Sequence, residues 1–103
     1  MPRRSNDASC LPVLRELRDA CLKLVRRHGT AHMLDGRLVF EFERAPFTIW
    51  LTRSGDVQSL DVWIDFKVAA VLNLCWSGDA LTLGFFSRGE WERQLLELAR
   101  QHE

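Results

Sequence analysis

The chain has 103 residues, 47% of them hydrophobic and 27% charged, with a formal net charge of zero. That length supports one domain with a real core, not two, and the composition is that of an ordinary soluble globule. Balanced charge excludes the strongly basic character that announces a nucleic-acid partner, and no apolar run reaches the ~18 residues that a membrane span needs.

The zero total hides an asymmetry. Residues 1–30 hold seven basic side chains (Arg3, Arg4, Arg15, Arg18, Lys23, Arg26, Arg27) against three acidic ones (Asp7, Glu16, Asp19), a net of +4, which leaves −4 for the remainder. In one small domain this makes a dipolar surface, relevant to docking or self-association rather than to fold. The three cysteines, Cys10, Cys21 and Cys75, are an odd number without close pairing, and no apolar signal segment opens the chain. The expectation is a reduced, cytoplasmic protein.

Residues 1–9 are polar and read as a flexible tail, with residues 10–103 forming a single α+β domain. A helix is predicted from about Leu11 to His28, with Ser9 as N-cap and Pro12 in the first turn. Leu14, Leu17, Cys21, Leu24 and Val25 recur at three and four and make its apolar stripe. Arg26, Arg27 and His28 suit the last turn, and Gly29 ends it. Residues 29–36 read as a connector carrying an Asp35-Gly36 turn signal.

Three strands are then predicted: Arg37 to Glu43, Phe47 to Thr52, and Val57 to Phe66, separated by turns at Arg44-Ala45-Pro46 and Ser54-Gly55-Asp56. From Leu60 to Trp76 every even position is apolar (Leu60, Val62, Ile64, Phe66, Val68, Ala70, Leu72, Leu74, Trp76), a period of two that marks extended chain with one buried face. A single flat strand of that length would run roughly 56 Å at about 3.3 Å per residue. A compact chain of this size has a radius of gyration of only about 13 Å. The stretch must therefore fold back near Phe66 to Ala70, giving a fourth strand over Ala69 to Trp76. Ser77-Gly78-Asp79 signals a hairpin into a fifth strand, Ala80 to Phe86, with Leu81, Leu83 and Phe85 inward.

Parity tests this arrangement. Across a hairpin with an even loop, inward positions switch between even and odd numbers. They do so at every join except that between the third and fourth strands, which therefore needs an odd loop, a bulge or a short helical turn over Lys67-Val68-Ala69-Ala70. Ser87-Arg88-Gly89-Glu90 reads as a capping box, with Phe86 and Trp91 at staple positions, opening a helix whose stripe is Trp91, Leu95, Leu98 and Ala99. The expected fold is a two-layer α+β domain. It has a five-stranded antiparallel meander, in the order αβββ(turn)ββα, with both helices on the face made by Leu38, Phe40, Ile49, Val62, Leu72 and Leu83.

Chemistry-bearing motifs are sparse. His28 and His32 have a ligand-like spacing, but Gly29 separates them and no cysteine or carboxylate cluster stands nearby. Cys21 reads as core filler, and no CxxC, GxSxG or glycine-rich phosphate loop is present. No catalytic, cofactor or metal residue is assigned, and a non-enzymatic role is favoured. The informative feature is the second sheet face: Glu41, Glu43, Thr48, Trp50, Asp61, Trp63, Asp65, Val71, Cys75 and Phe86. Such a face should be polar where it meets water, yet Trp50, Trp63 and Val71 lie there among Glu41, Glu43, Asp61 and Asp65. Tryptophan is enriched at interface centres, and an acidic rim selects a basic partner. The reading is a protein-interaction module that binds another protein or a second copy through these residues, the basic first helix of the second copy being a possible ligand. Two alternatives stand beside it: a pocket between helices and sheet near Trp76, Trp91 and His102 for a small ligand or substrate, and nucleic-acid contact through the basic helix.

The predicted element order is similar to that of the small bacterial secretion chaperones. The similarity is one of element order without a shared motif, and by analogy it implies protein binding.

Overall fold

The computed structural model describes residues 3–54, 57–75, 81–87 and 89–102, with side chains over 14–53, 57–74, 84–87 and 89–102. The elements run α1 (Arg3–His28), β1 (Thr30–Leu34), β2 (Arg37–Arg44), β3 (Phe47–Ser54), β4 (Val57–Ile64), β5 (Lys67–Cys75), β6 (Leu81–Phe86) and α2 (Trp91–Gln101). The six strands form one antiparallel sheet in sequence order. The α+β class and the meander therefore hold, with six strands rather than five.

The added strand is β1, inside the stretch expected to be a connector. It pairs with β2 from Thr30↔Glu41 to Leu34↔Arg37 across the Asp35-Gly36 turn. Both turn residues have positive φ, 53° and 78°, the geometry that joins twisted strands in a two-residue hairpin. The turn was legible, but Thr-Ala-His-Met-Leu lacks the β-branched alternation that marks a strand; the ladder to β2 makes it one.

Helix α1 begins eight residues before its expected start, which sets Pro12 within the helix. Its stripe is as expected: Leu14, Leu17, Ala20, Cys21, Leu24 and Val25 are buried. They join one core with Phe42, Phe47, Ile49, Leu51, Leu60, Val62, Ala70, Leu72 and Leu74 of the sheet and Trp91, Leu95 and Ala99 of α2. Both helices thus share one side of the sheet. Leu38 has the inward parity but is 46% exposed, because it lies near the β1–β2 turn, away from that shared core.

The parity conflict between β4 and β5 is resolved by a bulge, not by an odd loop or a helix. Asp65 and Phe66 form a two-residue turn with φ of 51° and 67°. The register then shifts between Val62↔Ala70 and Trp63↔Val68, so Ala69 is the extra residue. Residues 67–70 are strand, and the irregular piece that suggested the secretion-chaperone order is this turn and bulge. A second shift, between Val71↔Phe85 and Leu72↔Leu83, makes Gly84 the extra residue of β6. It exchanges the expected orientations of the two phenylalanines. Phe85 is 45% exposed, while Phe86 packs against the core and lies 5.6 Å from the Trp91 ring.

The expected capping box at Ser87 does not form. Helix α2 starts at Trp91, and Glu90 at its N-cap makes no side-chain cap bond. The Ser87 N–H that the Glu90 carboxylate would have to accept from is already given to the carbonyl of bulge residue Ala69 (2.8 Å). The Ser87 carbonyl accepts the Trp91 indole N–H at 2.6 Å. Ser87 is therefore held to β5 just beyond the end of β6 instead of capping α2. Trp76 and Ser77-Gly78-Asp79 lie outside the described residues.

Candidate functional site

The side of the sheet opposite the helices is built by cross-strand register. The Ala45-Pro46 turn, with its cis peptide bond, sets Glu41 opposite Trp50. The β3–β4 ladder sets Trp50 opposite Asp61 and Thr48 opposite Trp63. Trp50 and Trp63 are thus diagonal neighbours on adjacent strands, within reach of aromatic side chains. Their rings stack with centroids 5.4 Å apart and planes inclined by 27°. Neither belongs to the main core, and both are half-buried.

Glu41 orients the pair. One carboxylate oxygen accepts the Trp50 indole N–H at 3.1 Å, and the other lies 3.1 Å from His32 Nε2. His32 reaches it because β1 sets it beside Val39, on the face that β2 shares with Glu41. The Trp63 indole N–H is buried without a hydrogen-bond partner among the described residues. Asp61 accepts a hydrogen bond from the Ser59 hydroxyl (2.8 Å). Burial pushes its carboxyl above the ordinary aspartate range, and the Ser59 bond only partly opposes this.

A cavity of about 310 Å³ opens beside the stack, lined by Leu34, Arg37, Val39, Trp50, Thr52 and Asp61. Its floor includes Val39, which is 1% exposed although it points away from the helices. Toward the other end of the sheet, Val68 stands opposite Trp63 and Phe85 opposite Val71. The apolar strip therefore crosses β3 to β6. Phe66, at the tip of the β4–β5 hairpin, is 84% exposed.

Of the residues expected on this face, Glu41, Trp50, Asp61, Trp63 and Val71 lie within the strip, half-buried; Glu43 is exposed at the β2 end and Asp65 in the hairpin tip. Phe86 is not on this face but on the core side. The side chain of Cys75 lies outside the described ones. Sequence reasoning missed His32, Val68 and Phe85, whereas alternation along the strand already sets Val39 on the side of Glu41 and Glu43. The Asp35-Gly36 hairpin signal could have shown β1 and with it His32; the Gly84 bulge left no comparable mark.

The other candidate residues make structural contacts where they are described. His28 Nε2–H donates to the His102 carbonyl at 2.9 Å, and Arg44 donates to His102 Nε2 at 3.4 Å, so His102 ties the ends of α1, α2 and β2 together. His28 and His32 therefore engage different partners. Trp91 fills the core, and a groove of about 450 Å³ lies between α2 and the β2–β3 turn, lined by residues including Arg44, Phe47, Arg93, Glu97 and Leu98. Cys21 is fully buried, and burial pushes its thiol far above the ordinary range, which suppresses the reactive thiolate. Among the described residues no helix is long and apolar enough to cross a membrane. Comparison with family models, with curated proteins and with solved structures gives no match.

Proposed function

We propose that this chain is a non-enzymatic protein-interaction module whose helix-free sheet face, centred on Trp50 and Trp63, docks a protein segment carrying basic side chains. The observation that carries the reading is the indole stack standing half-buried on a face with Asp61 beside it and Glu43 and Asp65 at its ends. A stacked aromatic pair offers a large rigid contact area, and carboxylates around it favour lysine or arginine in the partner. Position 63 carries tryptophan although its indole N–H is buried without a partner among the described residues. A buried donor without an acceptor costs about 1–3 kcal/mol, which phenylalanine would avoid while keeping the ring. The partner is another protein or a second copy; in the latter case only the polar outer side of α1 is on offer, since its apolar stripe over residues 14–25 is spent on the core. The odd cysteine count keeps the cytoplasm as the proposed compartment.

The test is quenching of tryptophan fluorescence by an arginine- and lysine-rich peptide at low and high salt, with cross-linked partners and mass in solution compared for wild type, Trp50→Ala and Asp61→Asn. The expected result is salt-sensitive binding lost in Trp50→Ala and weakened in Asp61→Asn. Retention of every partner and of the native mass by both variants removes the reading.

A further inference from the structure

A different surface is the β1 edge of the sheet. Among the described residues, strand β1 is bonded to β2 on one side only. Thr30, Ala31, Met33 and Leu34 are exposed, and Met33 (64%) and Leu38 beside it form an apolar margin. Sheets protect such edges with lysine, proline, inward charges or a covering segment. Thr30–Leu34 contains no proline and no lysine, arginine, aspartate or glutamate.

We propose that β1 pairs with β1 of a second copy, antiparallel, about a two-fold axis at His32, so that two sheets join into one. The strand is self-complementary in this register. Thr30 faces Leu34 and Ala31 faces Met33, twice each, small against large, and cross-strand pairs of this kind set register. Charge agrees. Asp35 follows the strand in its exposed turn, and the exposed Arg26, Arg27 and His28 precede it across Gly29. Antiparallel pairing brings each Asp35 toward the partner's basic helix end, whereas parallel pairing would set acid beside acid. Arg37, opposite Leu34 in β2, stands one strand inward from the join. The closed two-fold limits assembly to a dimer, and a five-residue ladder is a small interface, so association is weak and concentration-dependent. The join sets both indole stacks on the same side of one sheet, with the two Trp50-bearing strands about 24 Å apart at ~4.8 Å per strand.

Sedimentation equilibrium of the full chain over the micromolar range tests this. Wild-type mass is expected to rise from one chain toward two, while Met33→Lys stays at one chain with unchanged circular dichroism. In a Cys10→Ser, Cys75→Ser background, His32→Cys is expected to oxidise to a covalent dimer at least ten-fold faster than Met33→Cys, because only position 32 meets its own copy in this register. Wild type that stays monomeric at every concentration, Met33→Lys that dimerises like wild type, or equal oxidation at the two positions overturns the proposal. Trp50→Ala leaves the edge intact and is expected to dimerise normally, which separates failure here from failure of the proposed partner-binding face.

Discussion

Gly29→Ala tests how the end of α1 is welded to the sheet. A Cβ at this position would stand 2.5 Å from the Val25 carbonyl oxygen and 2.6 Å from the Glu41 carbonyl oxygen. Both are backbone atoms with little freedom to retreat. Val25 O already accepts the Gly29 N–H at 3.1 Å, and Glu41 lies in β2 between its ladders to β1 and β3. Relief must either unwind the last turn of the helix or displace β2. Overpacking of this kind costs about 1–3 kcal/mol. Alanine also restricts the unfolded chain, which returns about 0.4–1 kcal/mol. The expected net loss is therefore roughly 1–2 kcal/mol, or several degrees in melting temperature for a domain of this size. Urea denaturation followed by far-ultraviolet circular dichroism measures it. Tryptophan emission gives a second signal, because displacing Glu41 loosens its hold on the Trp50 indole. Stability within ~0.5 kcal/mol of wild type, the ordinary range for a surface substitution, together with unchanged emission would refute the argument.

Three further outcomes follow from the same geometry. Asp61 has a folded-state carboxyl pKa above its unfolded value, so its contribution favours folding at low pH and is lost as pH rises from the ordinary aspartate value through the folded one; Asp61→Asn is expected to raise the melting temperature at pH 7 and to flatten that acid-side slope in thermal melts. Phe66→Asn, at φ 67°, replaces a bulky residue in the left-handed region with one that tolerates it, and a stabilisation of about 0.5–1 kcal/mol by denaturant titration is expected. Leu95→Ala, fully buried between α2 and the sheet, is expected to cost about 2–5 kcal/mol, measured by the same titration.

Legibility in the sequence tracked the strength of the periodic signal. The stripe of α1, the odd face of β3 and the even face of β4 and β5 are apolar runs, and burial follows them at Ile49, Leu51, Leu60, Val62, Ala70, Leu72 and Leu74 but not at Phe66 and Val68, beside the turn and bulge. Parity also showed that something irregular must join β4 to β5, although not that the irregularity is Ala69 rather than the turn. What escaped was set by backbone geometry. Strand β1 owes its conformation to its partner, the Gly84 bulge reverses Phe85 and Phe86 without any change in residue type, and the N–H of Ser87 is claimed by Ala69 before a cap can use it. The candidate face divides the same way. Trp50 and Trp63 were placed together by alternation alone, and Glu41 and Asp61 with them. His32, which shares the Glu41 carboxylate with Trp50, depended on the unrecognised strand, and Val68 on the location of a turn whose second residue is a phenylalanine.

Each strand bonds only to its immediate neighbour in the chain, so the whole sheet can zip from one hairpin to the next across short loops. Such nearby pairings close quickly and at small entropic cost. Longer closures are made by the helices, above all where α1 meets α2 and His28 touches His102 across 74 residues. Assembly of this protein should therefore be governed by the late arrival of its last helix against its first, and shortening the chain before Trp91 would leave a formed sheet with an unroofed hydrophobic flank.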